Sequence, residues 1–287
     1  MLVAGLVQGV ALGTILALVT MGMTLIYRVT GIINFAHGAF MALAMYLAYD
    51  LRRVWGIDPL LASLALAPLM ALLGWGLFWV VIRPIRREHH LLVIQVLLGL
   101  SFVIEALLLI RYGADMRTAE SVFSGKFVTV LGVGIELTRV VAFVIAVAAL
   151  TGLGIALRWS DWGRRLRATA DDELAASLMG ISVLNVQAWT WGVGIGMLGL
   201  VGPVLADVFK MTPDMGIKYA ILALVVLIVG GGRTMAETIV GGLLVGLAET
   251  LGLLYLPGAY GGLMPYALLA VVLLVKPQGM LAMLRGR

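Results

Sequence analysis

The sequence contains no cysteine, only three histidines and little charge, with 12% of its 287 residues being Asp, Glu, Lys or Arg. The missing cysteine excludes disulfides and thiolate metal sites, and leaves the compartment open on redox grounds. So little charge excludes a soluble protein, and nothing in the composition marks a separate soluble domain. Motifs for catalysis are missing too. Glu88-His89-His90 does not complete an HExxH zinc site, and Val122-Phe123-Ser124-Gly125 lacks the preceding glycine of an intramembrane serine protease motif. There is no glycine-rich P-loop, so the chain has no ATP site of its own, and no cofactor is expected. No basic residue precedes Arg28, and no short apolar core is followed by a cleavage site. The first stretch therefore reads as a span, not a signal peptide.

What the chain does have is apolar surface. Apolar residues make up 62% of it, and mean hydropathy is +1.09. A bilayer crossing takes about 20 apolar residues, so the length accommodates about eight to ten spans with short loops. The excess of 20 Lys and Arg over 15 Asp and Glu is what the positive-inside rule leaves in cytoplasmic loops, not a nucleic-acid signature. Glycine is abundant, at 36 residues. In lipid the hydrophobic effect does not hold helices together, so small residues that let backbones approach matter more. Gly5, Gly9, Gly13 and Ala17 form one row at four-residue spacing, Gly242 and Gly246 a second, and Ala148, Gly152 and Ala156 a third. All three read as packing seams, with a subunit interface as the alternative for one of them.

These features predict an all-α, polytopic membrane protein of about eight or nine transmembrane helices, built as one domain over residues 1–287. Apolar segments fall at about 2–26, 31–51, 59–82, 91–110, 137–157 and 187–208, then in one ending at Gly230, then at 236–256 and 262–275. Gly202-Pro203 should break and bend the sixth. Residues 112–136, with nearly balanced charge, suit an extracytoplasmic loop, and the basic stretch after Ile82 a cytoplasmic one. This scheme puts 12 of the 20 basic residues inside and the N-terminus outside. Arg52 and Arg53 then fall outside. If 31–51 is a re-entrant or broken element, the N-terminus flips.

The densest charge lies in Arg158–Val186, where Arg158, Arg164, Arg165 and Arg167 precede Asp171, Asp172 and Glu173. Leu166, Ala170, Leu174, Leu178 and Ile181 recur at spacings that share one side of a helix. Thr169 and Asp172 stand in a capping relation, and Gly180 sits where the helix would stop. The segment reads either as a solvated loop helix or as a docking element for a water-soluble partner. At membrane depth, each ionisable group is a functional candidate, because it is costly there. Asn34 and His37 lie near a helix start bracketed by Gly31 and Gly38. A half-helix start facing a cavity would favour a carboxylate, while the plainer reading is that the pair holds a bend. Glu105 and Glu249 are either paired acids or members of a proton or cation relay.

Leu25–Tyr49, carrying Ile33-Asn34-Phe35-Ala36-His37-Gly38, resembles the second-helix signature of the permease subunits of branched-chain amino acid ABC importers, in particular the LivH-like permease. Ile82–Arg86, Arg167–Ile181, Gly241–Glu249 and Lys276–Met280 are similar to further motifs of that family, in order, and the likeness covers nearly the whole chain. The resemblance implies an ABC importer permease fold in the cytoplasmic or inner membrane, with no catalytic site of its own. It implies a second homologous permease, two cytoplasmic ATP-binding subunits, and a periplasmic or lipid-anchored binding protein that delivers leucine, isoleucine or valine. It also implies that residues 158–186 form the ATPase-coupling loop, with Arg167, Asp171, Asp172, Glu173, Ala175, Ala176 and Gly180 as its coupling residues. Asn34, His37, Glu105 and Glu249 remain candidates for the translocation path. Three departures stand out: Ala39 replaces the family's glutamate, Leu174 fills the glutamate slot of the coupling loop, and Arg233 adds a charge after the seventh span, facing either ATPase or lipid headgroups. Urea, amides or other amino acids are the alternative substrates, and an ion-coupled secondary transporter is the alternative class.

Overall fold

In hydrocarbon every backbone polar group must find a partner within the protein, which is why a chain this apolar folds into helices. The computed structural model describes residues 2–86, 88, 90–130 and 132–276. Helices α1 (Leu2–Thr30), α2 (His37–Trp55) and α3 (Pro59–Leu77) come first, and α3 runs through a π-helical stretch, Phe78–Ile82, into the short α4 (Arg83–Ile85). After α5 (His90–Tyr112), an antiparallel hairpin pairs β1 (Phe127–Val130) with β2 (Val133–Glu136), Phe127 opposite Glu136. Then come α6 (Leu137–Trp159), α7 (Asp161–Asp171), α8 (Glu173–Leu178), α9 (Val183–Val208), α10 (Met215–Gly230), α11 (Met235–Tyr255) and α12 (Met264–Val275). Six helical stretches are long and apolar enough to cross a membrane, and Met215–Gly230 and Tyr260–Val275 are shorter apolar helices. Together with α2 these account for the expected eight or nine helices.

Helices α1 and α9 form the centre. They cross at Gly22 and Gly194, where each glycine's hydrogen faces the backbone carbonyl of the other, leaving no room for a side chain. Val29 near the end of α1 and Val186 near the start of α9 both pack on Leu166, so the two helices run in opposite directions. Each is followed by a non-helical segment and then a helix, and these helices, α2 and α10, meet head to head where Gly216 abuts Ala39. Helix α3 packs along α9, and α11 along α1. The fold therefore pairs α1–α2–α3 with α9–α10–α11 in inverted sense, and α6 lies against α1 and α9 from outside this arrangement.

The first two glycine rows are seams, and they close on one another. A side chain on Gly13 would stand 2.7 Å from the Leu243 backbone and 2.8 Å from the Gly242 carbonyl. The third row behaves differently: Ala148 and Gly152 are exposed, and nothing lies within 4 Å of Gly152's missing side chain. It is no seam within this chain. Helix α9 also runs through Gly202 and Pro203 without interruption, because Pro203 costs only one backbone donor in a helix that its neighbours enclose. The hairpin at 127–136 was not expected from the composition of that loop. Of the closing motif, only Lys276 lies within the described residues.

Candidate functional site

Two regions carry the candidate residues. The first is the break between α1 and α2. Gly31 adopts a left-handed φ of 69°, which ends α1 and turns the chain back along it. Residues 31–36 then descend without helical structure until His37 starts α2. The depth follows from one contact: His37 Nε2 lies 2.7 Å from the Val19 carbonyl oxygen. Val19 precedes the end of α1 by 11 residues, or about 16 Å of helix. Helix α2 therefore starts well inside the membrane and still ends at Trp55 on the opposite side. Non-helical backbone survives at such depth only when protein encloses it. That condition holds here, since Ile32, Asn34, Ala36 and His37 are all buried. The Asn34 side-chain carbonyl accepts from the Ala36 backbone N–H at 3.1 Å, and the Asn34 backbone carbonyl from His37 N–H at 3.1 Å. Asn34 Nδ2 and His37 Nδ1 keep no hydrogen-bond partner among the described residues.

The element is broken, as one of the two sequence readings allowed, yet the N-terminus does not flip relative to the basic loops. Arg28 and the 158–186 segment share one end of the molecule, with Arg28 3.9 Å from Asp171. Gly5, near the N-terminus, packs on Leu251 and Leu254 at the other end.

The second region is the 158–186 segment, and here the single-helix expectation fails. Ser160 caps α7 by accepting from Gly163 N–H at 3.0 Å, and Asp172 caps α8 by accepting from Ala175 N–H at 2.9 Å. Asp172 itself is extended (φ −155°, ψ 109°), so the chain kinks there and the two helices do not share one apolar side. Thr169 is not the cap; its hydroxyl donates to the Arg165 carbonyl, one turn back. Leu166 is buried against Val29 and Val186, whereas Leu174, Leu178 and Met179 are 72%, 81% and 82% exposed. Ala176 is buried, and Ala175 is exposed. Gly180 stops α8 with a left-handed φ of 80°, and the Ile181 N–H reaches back to the Ala176 carbonyl, as in a Schellman turn.

This segment is held by a residue that the sequence reading placed only in a basic motif. The Arg86 guanidinium donates to Gln187 Oε1 at 2.6 Å and to Glu173 Oε1 at 3.2 Å, tying α8 and α9 to the chain just after α4. Arg167 donates to the Leu157 carbonyl and so pins α7 under the end of α6. Glu173 is thus engaged within this chain, and Leu174 stands out from it.

The acids do not join this picture. Glu105 is half-buried on α5 and makes no hydrogen bond or ion pair among the described residues. Glu249 on α11 stands within electrostatic reach of Lys218, Tyr219 and Tyr266, with Oε2 buried and unpartnered among the described residues. Asn34 and His37 share no hydrogen bond with either acid. At the end away from 158–186, a network unforeseen in the sequence ties loops to helices. Asp50 accepts from Arg111 at 2.6 Å and from the Tyr112 hydroxyl at 2.7 Å. Arg117 donates to the Tyr49 hydroxyl at 2.8 Å, while its backbone pairs with Met211.

Residues 5–273 match the family model described as the permease component of branched-chain amino acid transport systems. The chain belongs to the branched-chain amino acid permease family. Among curated relatives of this permease, the LivH protein of a high-affinity branched-chain amino acid transport system in Salmonella typhimurium LT2 is 30% identical. That match covers 96% of this chain and 93% of the relative. BraD of Pseudomonas aeruginosa PAO1 is 28% identical over 96% and 94%, and a probable LivH of Methanocaldococcus jannaschii is 25% identical over 92% and 88%. PsaBC from Streptococcus pneumoniae superposes loosely, at a TM-score of 0.49 and 13% identity over 97% of this chain and 94% of that one. The permease is a multi-pass membrane protein of an ABC transport family and the permease component of a transport system.

Proposed function

We propose that this chain is one permease subunit of an ATP-driven importer that moves leucine, isoleucine and valine into the cell. The reading rests on one observation above all. The family match spans residues 5–273 and so takes in both the broken α1–α2 element and the α7–α8 segment. In this reading a second, homologous permease completes the channel, two ATP-binding subunits sit on the 158–186 end, and a periplasmic or lipid-anchored binding protein meets the opposite end. Helix α8 offers Leu174, Leu178 and Met179 to an ATP-binding subunit, with Ala175 and the Gly180 turn setting its length. Arg86, Arg28 and Arg167 then carry movement of that helix into α9, α1 and α6, two of which form the centre of the fold. Substrate crosses beside other faces of the permease; Asn34 and His37 keep α2 short and supply polar groups at mid-depth, and Glu105 and Glu249 are the candidate acids of the path.

Two measurements test this. The tagged chain, extracted in mild detergent from its own membrane, should bring down a second permease and P-loop ATPases. Substituting Gly180→Glu should abolish uptake and stimulated ATP hydrolysis while the permease stays monodisperse. Recovery of the chain alone, with uptake driven by a proton or sodium gradient, would instead establish an ion-coupled transporter.

A further inference from the structure

Six of the seven tryptophans lie toward the 158–186 end of the helices: Trp191 is fully buried, and Trp75, Trp79, Trp159, Trp162 and Trp189 surround that end. Three of the rings are neighbours: the Trp75 centroid lies 6.0 Å from that of Trp79 and 6.4 Å from that of Trp189, and the Arg83 guanidinium sits 5.0 Å from the centre of the Trp79 ring. Such a belt marks the level of lipid headgroups. A groove of about 670 Å³ opens within it. Its deeper wall is apolar, formed by Trp75, Trp189 and Val193 on α3 and α9, with Trp75 and Trp189 38% and 50% exposed. Its upper rim is polar, formed by Trp162 and Arg165 of α7 with Ser182 and Asn185 at the start of α9. From Ser182 to Val193 is 11 residues, about 16 Å along a helix, which is a headgroup and the upper part of an acyl chain.

Charge selects the occupant. Of the three arginines on α7, Arg164 pairs with Asp161 and Arg167 donates to the Leu157 carbonyl. The Arg165 guanidinium has no hydrogen bond or ion pair among the described residues, and the buried Trp162 Nε1–H beside it has no partner either. The Trp162 indole N–H is closed off from the groove, so Arg165 is the exposed donor of the rim, and Ser182 makes no side-chain cap at the start of α9. We propose that this groove is a binding site for an anionic phospholipid, with its phosphate on Arg165 at the rim beside Ser182 and Asn185 and one acyl chain along Trp75, Trp189 and Val193. The lipid braces α7 against α9, next to the segment that reaches α8. The proposal depends on the chain lying in a membrane and not on its substrate.

The tryptophans themselves report on it. The full chain is reconstituted in phosphatidylcholine vesicles containing a minor fraction of either brominated phosphatidylglycerol or brominated phosphatidylcholine, and indole quenching is compared. One unpaired arginine at an anionic interface gives a roughly fivefold preference for the charged lipid. Quenching by brominated phosphatidylglycerol should therefore exceed that by brominated phosphatidylcholine. Arg165→Gln should abolish the excess, Arg164→Gln should keep it, and Trp189→Phe should reduce it. Equal quenching by both lipids, or an excess that survives Arg165→Gln, would overturn the proposal. So would an Arg165→Gln variant that keeps the excess but no longer retains ATP-binding subunits, since the rim would then be a protein surface.

Discussion

His37 Nε2 sits 2.7 Å from the carbonyl oxygen of Val19, and both residues are buried. A carbonyl can only accept, so the imidazole holds its proton on Nε2 and ties the head of α2 to the middle of α1. Removing the ring leaves a cavity and loses a buried hydrogen bond, a change that costs about 1–3 kcal/mol for the bond alone. His37→Ala should therefore lower the midpoint of thermal unfolding in detergent. Asn34→Ala, which strips the Ala36 N–H of its acceptor, should do the same by a smaller amount. An unchanged midpoint with uptake lost would place the imidazole in the path instead of in the scaffold.

The seam between α1 and α11 makes a sharper contrast. A side chain at Gly242 would lie 2.6 Å from the Gly13 carbonyl and 2.7 Å from Ala17, both on α1, with no mobile side-chain tip to give way. Gly242→Ala should force the helices apart and cost about 1–3 kcal/mol, as overpacking does. Gly152→Ala adds the same methyl where nothing lies within 4 Å. It should leave thermal stability unchanged or slightly raised, because alanine is the better helix former. Size-exclusion profiles and unfolding midpoints of the two variants measure the difference directly.

That contrast also shows what the sequence could reveal. Four-residue glycine spacing identified three rows but could not say which face each row presents, and one of them faces outward. Long apolar runs exposed the helices, because a span needs no partner to be recognised. Asn34, His37 and their flanking glycines showed a polar helix start, and one sequence reading was that it is broken. Only the contact with Val19 showed how far it descends. The kink at Asp172 was hidden because Leu166, Ala170, Leu174 and Leu178 keep a helical period through it, and period alone does not register a cap. The Arg86–Gln187 bond joins residues 101 positions apart, and a single sequence carries no signal for such a pair.

Arg86 gives the next prediction. Its side chain is mostly buried, and Gln187 is 3% exposed, so Arg86→Ala leaves the Gln187 amide oxygen buried without a donor. That should cost about 1–3 kcal/mol. Glu173→Ala breaks only the longer, half-exposed half of the bridge and should cost less than about 1 kcal/mol. In a double-mutant cycle read by thermal unfolding, Arg86→Ala should dominate and the coupling to Glu173 should weaken with added salt. Equal losses from the two single variants would show that the Glu173 bond, not the Gln187 bond, holds α8.

Gly180 allows stability to be measured apart from the proposed coupling. Its φ of 80° costs a residue with a Cβ about 1–2 kcal/mol, while the space around it is open. Gly180→Ala should therefore fray the end of α8 and leave the membrane helices intact, with the global unfolding midpoint little changed. Asparagine visits the left-handed region more readily than most residues. Gly180→Asn should accordingly keep most of the uptake and ATPase stimulation that Gly180→Ala loses. The pair is measured in vesicles reconstituted with whatever ATP-binding subunits co-purify. If alanine and asparagine behave alike, the role of Gly180 is not its backbone conformation, and the exposed face formed by Leu174, Leu178 and Met179 must carry the contact without help from the turn.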